Sequence, residues 1–216
     1  MTLAVIGGTG LASLDGLEIL REHAVATPFG ATSAPVQEGR FGGNTLLFLH
    51  RHGGRGGPIP PHRVNYRANL WALRELGAQR IVASNAVGAI NPAMRPGRLV
   101  IPDQLVDYTW GREHTFDDGS SGALQHVDFT SPFDAGLRRR LLEAAAAAAV
   151  PADAGGVVAV TQGPRLETAA EVSRLARDGC DLVGMTSMPE AALARELGIP
   201  YAAVCLIVNA AAGLGE

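Results

Sequence analysis

Short apolar runs and amphipathic stretches alternate along the chain. Apolar runs that end in glycine, proline or asparagine are typical of buried strands, and apolar positions that recur every three or four residues are typical of helices. The runs predict strands at 3–6, 45–49, 80–83, 157–160, 181–183 and 201–208, with an extended stretch at 99–105. The helical spacing predicts helices at 64–76, 137–150, 167–176 and 189–197. Because strands and helices alternate, we expect one α/β domain over residues 1–216, built around a central sheet.

Composition narrows the class of protein. Hydrophobic residues make up 47% and charged residues 18%, a balance typical of a globular chain. The net charge of −3 gives no reason to expect a nucleic-acid partner. No apolar run reaches membrane-spanning length and no leader peptide precedes the first strand, so we expect a cytoplasmic protein without a membrane partner. Cys180 and Cys205 lie in apolar surroundings and are expected to be buried thiols, and no Cys/His spacing suggests a metal site.

Polar and glycine residues gather just after the predicted strands, where open α/β sheets bind their ligands. The first such segment, Gly7-Gly8-Thr9-Gly10, lacks the spacing of a dinucleotide fingerprint and of a Walker loop. Its backbone N–H groups and the Thr9 hydroxyl suit a single phosphate, although a plain turn explains the glycines equally well. Arg51 and His52 follow the next strand. Arg51 suits phosphate through two parallel hydrogen bonds with His52 donating beside it, and a surface arginine with a structural histidine is the alternative.

Other candidates follow later strands. Glu167 opens a helix, where a carboxylate that complements the helix dipole needs no further role. Met185 and Thr186 stand at a strand end that suits a sugar, while a methionine that fills a core gap is the more common case. Asn209 is the first polar residue after the apolar AAVCLIV, and its amide suits the edge of a heterocycle or a simple turn. Residues 111–125 are polar and rich in glycine and serine, so we expect a mobile loop there.

Taken in order, these motifs resemble the trimeric purine nucleoside phosphorylase and methylthioadenosine phosphorylase family. The resemblance covers essentially the whole chain and implies a central mixed β-sheet flanked by helices. It rests on AVIGGTGL, TPFG, RHG, VNYRANLWAL, NAVGAI, PGRLVIPDQLVDYT, REHTF, TQGPRLET, GMTSMPEAALARELGIPYA and VNAAAG.

The resemblance also implies roles for individual residues. Phosphate binding falls to Thr9, Arg51, His52, Asn85, Ala86 and Thr186. Substrate binding falls to Leu166 near Glu167 for the base, Met185 for the sugar and Asn209 for purine N7 and the 6-substituent. His126 lies in the segment with which a neighbouring subunit of a homotrimer closes the 5′ end of the sugar. Asn209 and His52 are the residues expected to act in catalysis.

The implied reaction is phosphorolysis of a purine nucleoside, with S-methyl-5′-thioinosine as the preferred substrate and purine salvage as the setting. Inorganic phosphate is a co-substrate, and the mechanism calls for no metal or organic cofactor. An Asn209 amide matches one acceptor and one donor, O6 and N7–H of a 6-oxopurine. Family members that prefer adenine carry aspartate there and two residues later, where this chain has Asn209 and Ala211. We therefore expect 6-oxopurines to be preferred.

Two departures from the family pattern stand out. The loop at 53–61 is one residue longer than usual and lacks an additional histidine, for which Arg55 could compensate. Relatives continue for about one more helix, so the chain is expected to lack its C-terminal helix. Four alternatives stay open: an inosine/guanosine phosphorylase, a methylthioadenosine phosphorylase, a hydrolase that uses water, and a non-catalytic purine-binding protein.

Overall fold

A computed structural model describes residues 2–11, 13–54, 58–120 and 125–215. Within these ranges the chain forms one mixed sheet, four α-helices and a short 3-10 helix. The strands are β1 (Leu3–Gly7), β2 (Glu18–His23), β3 (Val36–Phe41), β4 (Asn44–His50), β5 (Arg80–Ala89), β6 (Leu99–Ile101), β7 (Gln104–Asp107), β8 (Ala152–Ala154), β9 (Val157–Val160), β10 (Leu182–Gly184) and β11 (Tyr201–Ala210). The helices are α1 (Tyr66–Glu75), α2 (Ala135–Ala147), α3 (Ala169–Arg177) and α4 (Ser187–Glu196), and the 3-10 helix is Pro61–Arg63.

The centre of the sheet is parallel. β1 lies between β4 and β5 and pairs with both in parallel, and β11 runs parallel to β5 along its other edge. β10 pairs antiparallel with β5, which makes the sheet mixed and confirms the predicted fold class. The order is β2-β3-β4-β1-β5-β10-β9-β7, with β11, β6 and β8 branching from β5. Because β1, β4, β5 and β11 point the same way, the residues that follow or end them meet at one edge.

Helices pack their apolar faces on this sheet. α1 begins at Asn65, whose side chain accepts a hydrogen bond from the Ala68 N–H at 3.1 Å. α3 begins with a capping box between Thr168 and Glu171, which satisfies backbone donors at the helix start. α4 is buried along most of its length, and Leu193 is fully inaccessible to solvent. All four predicted helices are present, with ends shifted by a few residues.

The strands that the apolar pattern missed lie at the periphery. β2 is exposed along nearly all of its length, so its sequence carries no apolar run. β3 pairs with it and has only two buried positions. The predicted extended stretch at 99–105 divides into β6 and β7, and β8 adds a short strand beside β6. β5 and β11 continue past their predicted ends because polar residues such as Asn85 remain in the ladder.

The described part of segment 111–125 has no helix or strand, but it is not simply a solvated loop. Arg112 is 8% exposed and Phe116 packs against the main core. The predicted loop is thus present in the described part of the segment, two of its residues pack against the rest of the protein, and its mobility stays a prediction. Cys180 and Cys205 are buried and unpaired, as predicted. None of the helices among the described residues combines the length and apolarity that crossing a bilayer requires.

Candidate active site

A cleft of about 610 Å³ opens at the edge where the parallel strands end. Of the predicted site residues, all but His126 line it, so the topology gathers segments that are far apart in sequence. They are Thr9, Arg51, His52, Asn85, Ala86, Leu166, Glu167, Met185, Thr186 and Asn209.

Arg51 forms the floor of one end of the cleft and is 1% exposed. Its Nε and Nη2 donate to the two carboxylate oxygens of Glu190 at 2.6 and 3.1 Å, and Nη1 donates to the Ser84 carbonyl at 2.9 Å. A guanidinium has five N–H bonds, so three are used within the protein. The Nε–Nη2 face binds Glu190, which leaves one N–H bond each on Nη1 and Nη2 for the two predicted hydrogen bonds to phosphate.

Glu190 keeps Arg51 charged and fixed. Burial alone would lower the pKa of Arg51, but the adjacent Glu190 carboxylate more than offsets it, so the pKa is raised. Glu190 is fully buried and also accepts a hydrogen bond from the Tyr201 hydroxyl at 2.8 Å. Burial raises the pKa of Tyr201 well above its usual value, so this phenol stays a donor. The three side chains form one buried network behind the cleft.

The glycine turn rests directly on this network. The Gly8 N–H donates to Ser84 Oγ at 2.9 Å. A Cβ atom at Gly8 would lie 2.4 Å from both Arg51 Nη1 and the Ser84 carbonyl oxygen, so no larger residue fits. Thr9, the next residue, is exposed to the cleft. The glycine is therefore required for close approach to Arg51, and the approach places Thr9 beside the guanidinium end of the cleft.

Thr186 and Asn85 complete this end. The Thr186 hydroxyl donates to Asn85 Oδ1 at 2.9 Å, and Asn85 Nδ2 donates to Ser187 Oγ at 3.0 Å. Asn85 and Thr186 are 5% and 7% exposed, so these side-chain donors are committed inside the protein. The Thr186 backbone N–H has no hydrogen-bond partner among the described residues.

His52 lies at the same end and is half-buried. Its Nδ1 is 2.9 Å from the Ile59 carbonyl oxygen, which requires a proton on Nδ1. Burial lowers the pKa of His52, with the nearby Arg51 charge adding to the effect, so the ring is neutral at pH 7. In this neutral tautomer Nε2 is an acceptor that would accept from a protonated phosphate oxygen. The predicted donation from His52 to phosphate would need a second proton on the ring, and it stays a prediction.

The opposite end of the cleft is more open. Leu166 is 75% exposed, and Glu167 Oε1 accepts a hydrogen bond from the Thr161 hydroxyl at 2.6 Å. Asn209 is exposed and follows a bulge in β11, where the register to β5 shifts between Ile207 and Asn209. Its Nδ2 donates to the neighbouring Ala210 carbonyl at 2.5 Å. A bulge re-aims the side chains that follow it, which explains how Asn209 reaches the cleft.

Met185 lies between the two ends. A Cβ atom at Gly163 would approach the Met185 sulfur to 2.5 Å, and Gly163 has a φ of +62°, a conformation that favours glycine. The TQGPR turn thus packs closely on the methionine, and Met185 itself lines the cleft. Met185 is not a core gap-filler, because part of it faces the cleft.

His126 is the exception. It is exposed and does not line the cleft of the single chain. We expect His126 to lie in the site of a neighbouring subunit, and the structure of a single chain does not test this prediction. Arg55, the possible replacement for the missing loop histidine, lies outside the described residues.

Several residues of the site were not assigned a role from sequence. Glu190 lies among alanines and leucines on a buried helix. A single carboxylate in such an apolar helix indicates a buried charge that needs a partner, and this pattern could have identified it. Tyr201 and Ser84 gave no signal, since their partners are distant in sequence. Arg112, buried behind Met185, was hidden in a segment that looked like a loop.

Comparisons with known proteins identify the family of the chain. The family model described as the phosphorylase superfamily matches residues 2–216. A probable S-methyl-5′-thioinosine phosphorylase of Pseudomonas syringae pv. tomato is 54% identical, over 97% of this chain and 85% of that protein. A 6-oxopurine nucleoside phosphorylase of Pyrococcus furiosus is 46% identical, over 98% of this chain and 80% of that protein.

A solved structure resembles the chain along its whole length. Methylthioadenosine phosphorylase from Schistosoma mansoni in complex with tubercidin superposes with a TM-score of 0.92 at 34% identity, covering 99% of this chain and 83% of that chain. The family resemblance read from the sequence is thus confirmed. The chain belongs to the phosphorylase superfamily.

Proposed function

We propose that this protein is a purine-nucleoside phosphorylase that cleaves 6-oxopurine nucleosides, with S-methyl-5′-thioinosine as its substrate. The products are hypoxanthine and 5-methylthioribose 1-phosphate. The observation that carries the proposal is a single cleft with cationic Arg51 at one end and the Asn209 amide at the other. The relatives named for this activity at about half identity support it.

The cleft accounts for the chemistry without a further group. Phosphate bound near Thr9, Arg51 and the Thr186 N–H attacks the anomeric carbon as the glycosidic bond lengthens. The sugar becomes cation-like, and the anion beneath it stabilises that charge. Because Arg51 and Thr186 are held by buried partners, phosphate is bound in place before the reaction, which removes orientation entropy from the barrier. In this proposal phosphate is the co-substrate, and neither a metal nor an organic cofactor takes part.

The leaving purine determines the base preference. A 6-oxopurine that leaves protonated at N7 presents one acceptor and one donor, which an amide matches. The Asn209 side chain would exchange its hydrogen bond to the Ala210 carbonyl for the purine edge. Adenine presents two donors there, and a mispaired buried group costs about 1–3 kcal/mol. Ala211, which also lines the cleft, offers no carboxylate to adenine.

The exposed end of the cleft favours an assembly. Leu166 and Val208 line the cleft and are 75% and 52% exposed, so apolar surface remains uncovered in one chain. We infer that a homotrimer forms beside this surface and leaves Leu166 for the base, and that His126 of a neighbouring subunit closes the 5′ end. The two unpaired buried cysteines fit a reducing cytoplasm.

A second candidate function keeps the same base and changes the sugar. Relatives named 6-oxopurine nucleoside phosphorylase are 44–46% identical to this chain, which favours inosine and guanosine as alternative substrates. The two candidates differ in the 5′ group, since a methylthio group needs an apolar pocket and a hydroxyl needs a hydrogen-bond partner.

The test is base release from methylthioinosine, inosine, guanosine and methylthioadenosine, each with and without phosphate. We expect phosphate-dependent release that is fastest from methylthioinosine. Faster release from inosine would favour the second candidate, and faster release from methylthioadenosine would overturn the role given to Asn209. Release without phosphate would identify a hydrolase, and purine binding without release would identify a non-catalytic protein.

A further inference from the structure

Arg112 joins the two loops that line the middle of the cleft. Its Nη1 donates to the carbonyl oxygens of Met185 at 2.7 Å and Met188 at 2.6 Å. Its Nη2 donates to the Gln162 carbonyl at 2.8 Å, and Nε donates to Gln162 Oε1 at 3.2 Å. The guanidinium group of Arg112 thus holds both the loop that carries Thr186 and the loop that leads to Leu166.

The electrostatic setting of Arg112 differs from that of Arg51. Both guanidinium groups are buried, but Arg51 has the Glu190 carboxylate beside it. Over the ranges that the structure describes, every hydrogen-bond acceptor of Arg112 is a neutral oxygen, and no carboxylate lies within ion-pair distance. Arg112 therefore has no carboxylate in direct contact, and the charges of Asp107 and Glu190 act on it only from a distance. An anion in the cleft would be attracted by it.

The bond to Met185 also sets the direction of a peptide group. The Met185–Thr186 peptide is trans and planar, so its C=O and N–H point in opposite directions. Because Arg112 holds the oxygen, the Thr186 N–H points away from Arg112. The Thr186 hydroxyl already donates to Asn85, which leaves this N–H as the residue's available donor.

We propose that Arg112 is a positioning residue of the phosphorylase, which fixes the Met185–Thr186 peptide so that the Thr186 N–H binds phosphate and ties that loop to the base-binding turn. The inference rests on the function proposed above. Arg112 touches neither substrate in this account. It acts through Thr186 on phosphate, and through Gln162 on the turn that ends in Leu166 and Glu167.

The main test is Arg112→Lys. Lysine keeps the positive charge but replaces a planar fork with a point charge, so it does not hold both loops. We expect the KM for phosphate to rise about tenfold, together with a lower kcat, since a slightly misplaced donor weakens both binding and orientation. Addition of guanidinium to Arg112→Ala should restore part of the lost activity. The matched control is Arg98→Lys, which likewise replaces the planar fork of a partly exposed arginine, here paired with Asp153 outside the cleft, and should leave both constants unchanged.

A second variant covers the case in which changes at Arg112 prevent folding. Gln162→Leu removes the side-chain oxygen that accepts from Arg112 Nε and from the Trp110 N–H, and keeps the cation in place. Its KM for phosphate should rise in the same direction, by a smaller factor.

Unchanged kinetic constants in Arg112→Lys, or in Gln162→Leu if the former does not fold, would overturn the inference, and so would a lower melting temperature without a change in the KM for phosphate. If the wild-type protein releases no base from any nucleoside, the proposed function fails instead. In that case, calorimetric titration of Arg112→Lys with inorganic phosphate still tests the effect on anion binding.

Discussion

The two ends of the cleft are built differently. At the phosphate end, Arg51, Asn85 and Thr186 are at most 7% exposed, and each is held by buried partners. At the purine end, Leu166 is 75% exposed, and among the described residues the Asn209 side chain has the Ala210 carbonyl as its one hydrogen-bond partner. The end proposed to bind phosphate is thus built from buried, paired side chains, while the end proposed to bind the nucleoside is open. Preorganisation matters most where charge develops, and this is the end that the fold keeps rigid.

The largest effect is expected from Arg51→Met, which removes the cation at the rigid end. Loss of such an electrostatic contact should lower kcat/KM by about 100- to 1000-fold. The variant also leaves Glu190 buried without its partner, at a cost of about 3–5 kcal/mol in unfolding free energy. Steady-state kinetics and urea unfolding measure the two losses separately.

A double variant, Arg51→Met with Glu190→Met, serves as the control for this experiment. Replacing both charges with apolar groups should recover much of the stability and none of the activity. If activity returned together with stability, Arg51 would have only a structural role. The claim that the buried end of the cleft binds phosphate through Arg51 would then be wrong.

At the open end, Asn209→Asp should shift base preference without affecting phosphate. We expect the ratio of kcat/KM for methylthioadenosine to that for methylthioinosine to rise about ten- to hundredfold. The reason is that asparagine mispairs with adenine, whereas aspartate would mispair with the 6-oxopurine. The KM for phosphate is the internal control and should stay constant. An unchanged ratio would show that Asn209 does not face the purine edge.

A smaller effect at the phosphate end is expected from pH, through the protonation of His52. Its pKa is lowered, so the unfolded chain takes up the proton more readily than the folded protein. The contribution of His52 to stability is therefore complete above its ordinary pKa of 6.5 and declines as the pH falls below that value. Activity should decline over the same range, because the protonated ring no longer accepts from phosphate.

His52→Gln should flatten this acid decline and raise the KM for phosphate about tenfold, since a hydrogen bond to the anion is lost. Burial also lowers the pKa of His50, so the wild-type decline in stability contains both residues, and His50→Gln is the matched control. An acid limb that persisted unchanged in His52→Gln would assign it to another group.

The smallest effect is expected at Leu166. Because this side chain is largely exposed, Leu166→Ala should change the unfolding free energy by no more than about 0.5 kcal/mol. The KM for the nucleoside should rise a few-fold, and the KM for phosphate should not. A large loss of stability would show that Leu166 is buried by an interface rather than left for the base.

The sequence was most informative where a strand is buried and its end is polar. The strands β1, β5, β9 and β11 follow from apolar runs. Because β1, β5 and β11 are parallel, the residues after or within these three lie at one edge of the sheet. The edge strands β2 and β3 could not be predicted, since exposed positions carry no apolar period. The partner of Arg51 lies 139 residues away, so nothing local to Arg51 shows that its fork binds Glu190.

The burial of Arg112 and the tautomer of His52 are set by tertiary contacts and could not be predicted from the local sequence. The burial of Arg112 comes from four backbone carbonyls, which any sequence provides. The tautomer of His52 is set by the Ile59 carbonyl, a contact that the local sequence does not reveal.

The most direct test of the central claim is a crystal structure of the protein with phosphate. We predict one anion at the rigid end of the cleft, within hydrogen-bond distance of the Thr9 hydroxyl, an Nη of Arg51 and the Thr186 N–H. An empty corner at a phosphate concentration that supports turnover, or an anion bound away from these three groups, would contradict the account.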